Sequence, residues 1–245
     1  MLINYNYMKK ILVGVNFIGM ILLLSSCVYA NSEGIQKEKY ELASFDKVKV
    51  SAGIQIFLTQ GSENTAIIEA DGSVIDNVLI DNSNGVLEIS LEKSSWNLFR
   101  RNKGKIKVYL TFSNLAEVSA SSGSRVYSQN VLELDKFDLS VSSGAYASLT
   151  ISAVQVNLAS SSGANVEIEG AAQHVSAKVS SGADINAKDL VAQTGDGSAS
   201  SGGSLAIYID GEVDASASSG GSVDIFGDSV LKNINMNSGG SINKR

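Results

Sequence analysis

The chain has no proline in 245 residues, one cysteine, one histidine and one tryptophan. Each scarcity removes a class of protein. A lone cysteine at position 27 allows no intrachain disulfide, so packing and backbone pairing alone must hold the fold. One histidine cannot build a His-based metal centre, and no cysteine follows position 27 to help it. Charged residues make up 18% and aromatics 7%. A disordered linker would be richer in charge and proline, so this Ser- and Gly-rich chain reads as folded. The net charge of −6 argues against nucleic acid as a partner.

Lys9 and Lys10 are the only charges before Cys27, which leaves 17 − 25 = −8 beyond it. They precede an apolar run, Ile11 to Leu24, that is too short for a comfortable membrane span and ends in Leu24-Ser25-Ser26-Cys27. Residues 1–27 therefore read as a signal peptide of lipoprotein type, similar to a bacterial lipobox, with Cys27 lipidated and serving as membrane anchor. Val28-Tyr29-Ala30 offers a competing cut for ordinary signal peptidase, and Met8 a competing start. Either cut predicts an exported protein. The lipidated form belongs in the bacterial cell envelope at the outer membrane, on its periplasmic or surface face. Residues 28–44 read as a short linker.

What the chain has in abundance is one triplet. Ser-Ser-Gly ends at Gly123, Gly144, Gly163, Gly182, Gly202 and Gly220, with Asn237-Ser238-Gly239 as a degenerate copy. The period of about 19–20 residues marks a repeating structural unit. Three residues after the glycine stand Val126, Ala147, Val166, Ile185, Leu205 and Val223. Five after it stand Leu149, Ile168, Ala187, Ile207 and Ile225. The same alternation runs backwards from the triplet, as in Val154, Val156 and Leu158. Period two on both sides means short strands with one face buried. One such coil cannot bury its apolar face, but stacked coils share a column. The expected fold is therefore all-β, a parallel β-helix or solenoid. The glycine is expected at a corner, where a positive φ or a close approach of the next coil requires it, and the serines to bond within the turn or from coil to coil. Valine at Gly163 or Gly182 should then cost ~2–4 kcal/mol through strain and clash.

The stretch "FDKVKVSAGIQIFLTQ" at 45–60 keeps this grammar, with Val48 and Val50 before Gly53 and Ile56 and Leu58 after it. The run Val50-Ser51-Ala52-Gly53-Ile54-Gln55-Ile56, then Leu58-Thr59-Gln60-Gly61, Ile68-Glu69-Ala70-Asp71 and Gly85-Val86-Leu87-Glu88-Ile89, followed by the Ser-Ser-Gly array, resembles the bacterial "putative auto-transporter adhesin, head GIN domain" family. The resemblance covers roughly 45–225, and the signature Gly-Ile-Asn reads Gly53-Ile54-Gln55. It implies a β-helical envelope protein over 45–245, secreted or lipidated, and brings no catalytic residues.

"SSWNLFRRNKGKIK" at 94–107 interrupts the pattern with Trp96, Phe99, Arg100 and Arg101. An aromatic-basic insertion in an acidic protein could touch a glycan or an anionic headgroup; it could equally pack its aromatics on the side of the solenoid. Enzymatic β-helices need paired carboxylates or a metal with a base. His174 sits beside an expected loop with nothing to assist it, Glu167 and Glu169 flank Ile168 on an outer face, and "GDGS" at 195–198 has calcium-turn composition without the calcium nonapeptide. No catalytic, metal or cofactor residue emerges. The leading expectation is an exported, lipid-anchored, adhesin-like surface module, non-catalytic, that contacts a surface glycan or protein and no nucleic acid. A periplasmic binding or signalling module and a carbohydrate-active enzyme are the alternatives.

Overall fold

The computed structural model describes residues 34–92 and 105–245. Cys27, Trp96, Phe99, Arg100 and Arg101 lie outside the described residues. The described chain forms one sheet of eighteen strands wound into a solenoid. One run of parallel pairing lies on the pre-corner side. It joins β2 (Lys47–Val50), β8 (Glu117–Ala120), β10 (Leu132–Val141), β11 (Tyr146–Ser160), β12 (Asn165–Val179), β13 (Asp184–Ala199), β15 (Glu212–Ala217) and β17 (Val230–Met236). A second run lies on the post-corner side. It joins β3 (Gln55–Gln60), β9 (Arg125–Ser128), the first halves of β11 to β13, β14 (Ser204–Ile209), β16 (Ser222–Phe226) and β18 (Ser241–Lys244).

Between the runs stands the Ser-Ser-Gly corner. Its second serine and its glycine are both left-handed, as at Ser162 (φ 54) and Gly163 (φ 69), and Ala164 N–H donates to the Ser161 carbonyl at 3.2 Å. Two successive positive φ values closed by that bond make a type I′ turn, whose twist matches the flanking strands. Each corner also binds the next. Gly144 N–H donates to Ser162 O and Gly163 N–H to Ser181 O, both at 3.2 Å. Gly53, Gly123, Gly182, Gly202, Gly220 and Gly239 occupy the same left-handed position.

Two expectations about the corner need correction. No clash with the next coil exists at these glycines, because a Cβ at Gly123, Gly144, Gly163, Gly182, Gly202, Gly220 or Gly239 meets nothing within 4 Å. Close approach falls one residue later, where a Cβ on Gly221 would lie 2.5 Å from the Ala199 carbonyl. The triplet serines, in turn, form no side-chain ladder; their carbonyls do the stacking. Gly163→Ala is therefore expected to cost only the left-handed backbone term, ~1–2 kcal/mol, and Ser162→Gly to be neutral or mildly stabilising. Thermal melts of the two variants check both.

Inward rows fill the column. After the corner of β11 they are Ala147, Leu149 and Ile151; before the next corner they are Val156 and Leu158 with Ser160. The inward parity thus switches from odd to even, and the chain bends near Val154, which is exposed. In β12 the bend is made by Gly170, at φ 120 over the backbone of Ile151.

The N-terminal end departs from the regular array. β2 stacks between β8 and the chain-later β6 (Val86–Leu91), and β3 between β9 and β7 (Lys107–Phe112), so the outermost full coil is not the first in sequence. Among the described residues three antiparallel pairings close that end of an otherwise parallel stack. β5 (Val78–Ser83) folds on β6 through Asn84-Gly85, a left-handed pair; β4 (Thr65–Asp71) lies on β7; and β1 (Ile35–Glu41) lies on β4. β1 falls inside the expected linker 28–44, so that stretch is in part a strand of the domain.

Lys37 and Lys107 clamp Glu69 at 3.0 and 3.1 Å across β1, β4 and β7. Their hydrogen bonds hold the Glu69 carboxyl below its usual range. A depressed carboxylate stabilises the fold above its unfolded pKa, and that contribution is lost as pH falls through the folded value. The amide protection factor of β1, which is corrected for the pH dependence of intrinsic exchange, is expected to fall on acidification below the usual carboxylate range, while that of β12 holds. An equal fall in both strands would count against the clamp.

Candidate contact surface

The outward residues form rows because register is preserved from coil to coil. Four residues after the corner glycine, Phe57 and Tyr127 align with Tyr109 of β7. Phe57 lies 5.1 Å from Tyr109 and 5.3 Å from Tyr127, with interplanar angles of 17° in both pairs, and Tyr146 tilts against Tyr127 at 5.8 Å and 53°. Nearly parallel rings this close are offset-stacked, each covering part of its neighbour's face. The row is a packing ladder between coils. Phe57→Ala removes two stacks at once, and a loss of ~1–3 kcal/mol is expected from ~0.5–1.5 for each pair. Chemical denaturation with near-UV circular dichroism checks it.

Beyond the ladder the outer face turns polar, and its side chains tie adjacent coils. Tyr146 Oη donates to Glu167 at 2.7 Å, Thr150 Oγ1 to Glu169 at 2.8 Å and Asn243 Nδ2 to Asp224 at 3.0 Å. Burial first, and then the bond to Glu167, push the Tyr146 phenol above its usual pKa. Glu167 and Glu169 thus have tyrosine and threonine partners on that face, flanking buried Ile168 as the alternation requires.

The pre-corner side is concave. An open groove of about 440 Å³ runs over Glu117, Asp138, Ser140, Asn157, Ser176 and Lys178. A second groove shares Ser140, Ala159 and Lys178 with it and continues past Ser198 to Ser200. Together they form a trough along the stack, from β8 to the end of β13. One outward register row runs along it, Ser140, Ala159, Lys178 and Ser198, so its floor is small except where Lys178 stands. Asn157 Nδ2 donates to Asp138 at 2.5 Å, so carboxylate and amide sit ready oriented on its wall. Such groups offer both donors and acceptors to a hydroxyl-rich chain.

The residues singled out for chemistry do not converge. His174 lies within strand β12, not beside a loop. Its side chain is exposed, with Nδ1 3.0 Å from Thr194 Oγ1 and Nε2 3.7 Å from Asp196. "GDGS" is strand too: a Cβ on Gly195 would lie 2.7 Å from Ile209, so that glycine makes room inside the column instead of turning around an ion. Among the described residues no group of three or more His, Cys, Asp and Glu could hold a metal ion, and no helix is long and apolar enough to cross a membrane. The proposed patch of Trp96, Phe99, Arg100 and Arg101 falls between β6 and β7 in sequence, outside the described residues.

Residues 44–229 match the family described as "Putative auto-transporter adhesin, head GIN domain". The chain belongs to this family. Crystal structures of other bacterial proteins share this fold. One, named a "putative adhesin", comes from Bacteroides fragilis; it is 20% identical, with a TM-score of 0.79 over 87% of this chain and 98% of its own. A second "putative adhesin", from Parabacteroides distasonis, is 16% identical with a TM-score of 0.68 over 86% and 97%. A "putative lipid binding protein" of the same organism is 14% identical with a TM-score of 0.62 over 86% and 96%. At such identities the likeness carries the fold. No curated protein matches the chain.

Proposed function

We propose that this head GIN protein is an exported, lipid-anchored envelope module that attaches to an extended, hydroxyl-rich surface polymer and performs no catalysis. The trough carries this reading. It is long, open and lined by small and polar groups in register rows, so a polymer laid along the stack meets a polar contact at each coil. Many weak contacts in register add by avidity, where a deep pocket would select one small molecule. The adhesin names within the family support the same direction. Cys27 is the proposed lipid site, and Trp96, Phe99, Arg100 and Arg101 are the proposed second contact patch, carried by the insertion between β6 and β7.

The test uses beads bearing the purified protein and immobilised envelope polysaccharides. Ala159→Trp raises the trough floor at an exposed position and is expected to reduce attachment at least tenfold with unchanged folding. Deleting residues 95–103 should give a smaller loss. Attachment that survives both changes would sink the contact assignments. Turnover of the glycan by the intact protein would sink the non-catalytic reading. Mass spectrometry of the mature N-terminus decides the anchor: acylated Cys27 is expected, and a free Asn31 would select the ordinary signal peptidase site.

A further inference from the structure

The two ends of the stack are built differently. At the closed end the inward residues Leu87, Ile89, Ile106 and Val108 are fully buried. At the other end Leu231, Ile234 and Met236 pair with Val213, Ala215 and Ala217 and continue their inward rows. Those three partners are 1–4% exposed, whereas Leu231, Ile234 and Met236 are 41%, 37% and 54% exposed. Among the described residues β17 and β18 also each pair on one side only, to β15 and β16. At this coil the described residues therefore leave both the inward rows and the strand edge open.

We propose that this open end is an interface between two copies of the chain, joined tail to tail about a two-fold axis. The closed end of another copy is a poor match. Its core is already covered, and its outermost strand carries Lys37, Glu38, Lys39 and Glu41, the charges that guard an edge. The open end matches itself. Two residues of β17, Lys232 and Asn233, oppose the single Asp214, a bulge that blunts the first half of the strand. The rest, Ile234 to Asn237, is unguarded. Asn235 is neutral and both donor and acceptor, so it can face its own copy across the axis.

Charge does not oppose the pairing, because the basic residues there are already engaged. Lys232 lies 2.9 Å from Glu212, Arg245 lies 3.0 Å from Asp224, and Lys244 Nζ donates to the Ser229 carbonyl at 2.7 Å. Residues 230–245 supply fewer side chains than the roughly 20–30 a side of a standard interface, so the dimer is weak and concentration-dependent. Two-fold contact also closes on itself, whereas a head-to-tail contact would propagate into fibres.

Cysteine cross-linking in the full chain tests this, with the wild-type chain, whose only cysteine is Cys27, run beside it. Asn235→Cys is expected to give a disulfide-linked dimer under mild oxidation, and Glu41→Cys at the closed end is not. In sedimentation velocity the wild-type dimer should grow with concentration. The double change I234K and M236K should weaken it at least tenfold with an unchanged far-UV spectrum, and Asn235→Asp, which sets like charges face to face, should weaken it without touching the core. Three outcomes would overturn the proposal: a monomer at every concentration, a cross-link at position 41 in place of 235, or a ladder of higher oligomers.

Discussion

Gly170→Ala is expected to destabilise the solenoid by about 4 kcal/mol or more, the largest loss among the glycines of the described residues. Two independent effects meet at this residue. Its φ of 120° lies in a region that side chains rarely enter, and a Cβ built there would stand 1.9 Å from the Ile151 carbonyl oxygen. That oxygen belongs to the backbone of the adjacent coil, so no rotamer change relieves the overlap. Either β11 and β12 separate at the bend or Gly170 changes conformation, and both break the ladder on each side. At ~2–4 °C per kcal/mol for a domain of this size, the melting temperature should fall by roughly 10 °C. Gly163→Ala is the matched control, since it has the left-handed strain with open space around it. Equal melting of the two variants would mean that close stacking at the bend contributes nothing.

Phe137→Ala is expected to follow, at ~3–5 kcal/mol. Phe137 is fully buried, and the residues in register with it on later coils are Val156, Val175 and Gly195. No other aromatic lies in that stretch of the row to expand into the space. The rigid ladders on either side also limit collapse of the cavity. Phe137→Leu keeps most of the volume and should recover the greater part of the loss. Denaturant titration distinguishes the outcomes: an alanine variant within 1 kcal/mol of the parent would show that the column adapts more freely than its backbone pairing implies.

The regular array was legible because two simple periods reinforce each other: a corner near every nineteenth residue and alternation on both sides. Gly53, set apart from the array, was placed in the same corner by those offsets alone. The closed end was not legible. β4 and β5 run against the parallel direction, and their apolar alternation does not encode direction. Asn84-Gly85 was a usable hairpin signal, being the commonest type I′ pair. β1 was hidden by its own charge, since Lys-Glu alternation on an edge strand looks like linker. On the outer face, Phe57 and Tyr127 share the offset of four from their glycines, so part of the aromatic ladder could have been found by tabulating outward positions as carefully as inward ones. Tyr109 could not, because its coil has no corner triplet to count from. The trough is a property of register over several coils, and no single repeat reveals it. At Gly170 the reverse holds: its sequence context reads as an ordinary loop boundary, and only stacking shows why no side chain fits.

The placement of β2 between β6 and β8 has a consequence for how the chain acquires its structure. A ribosome releases the N-terminal residues first, yet β2 and β3 then have no neighbour to pair with. β6 and β7, their partners on the closed side, end at Leu91 and Phe112. The first full coil therefore waits until Phe112 has been synthesised and a loop from β3 to β7 has closed, a slow event because it joins residues far apart in sequence. Once β8 and β9 have stacked on β2 and β3, every later coil needs only the coil about nineteen residues before it as a template. Maturation should thus show a lag followed by rapid, stepwise winding, and a nascent chain halted before residue 107 should remain protease-sensitive where one halted only a coil or two later is already resistant.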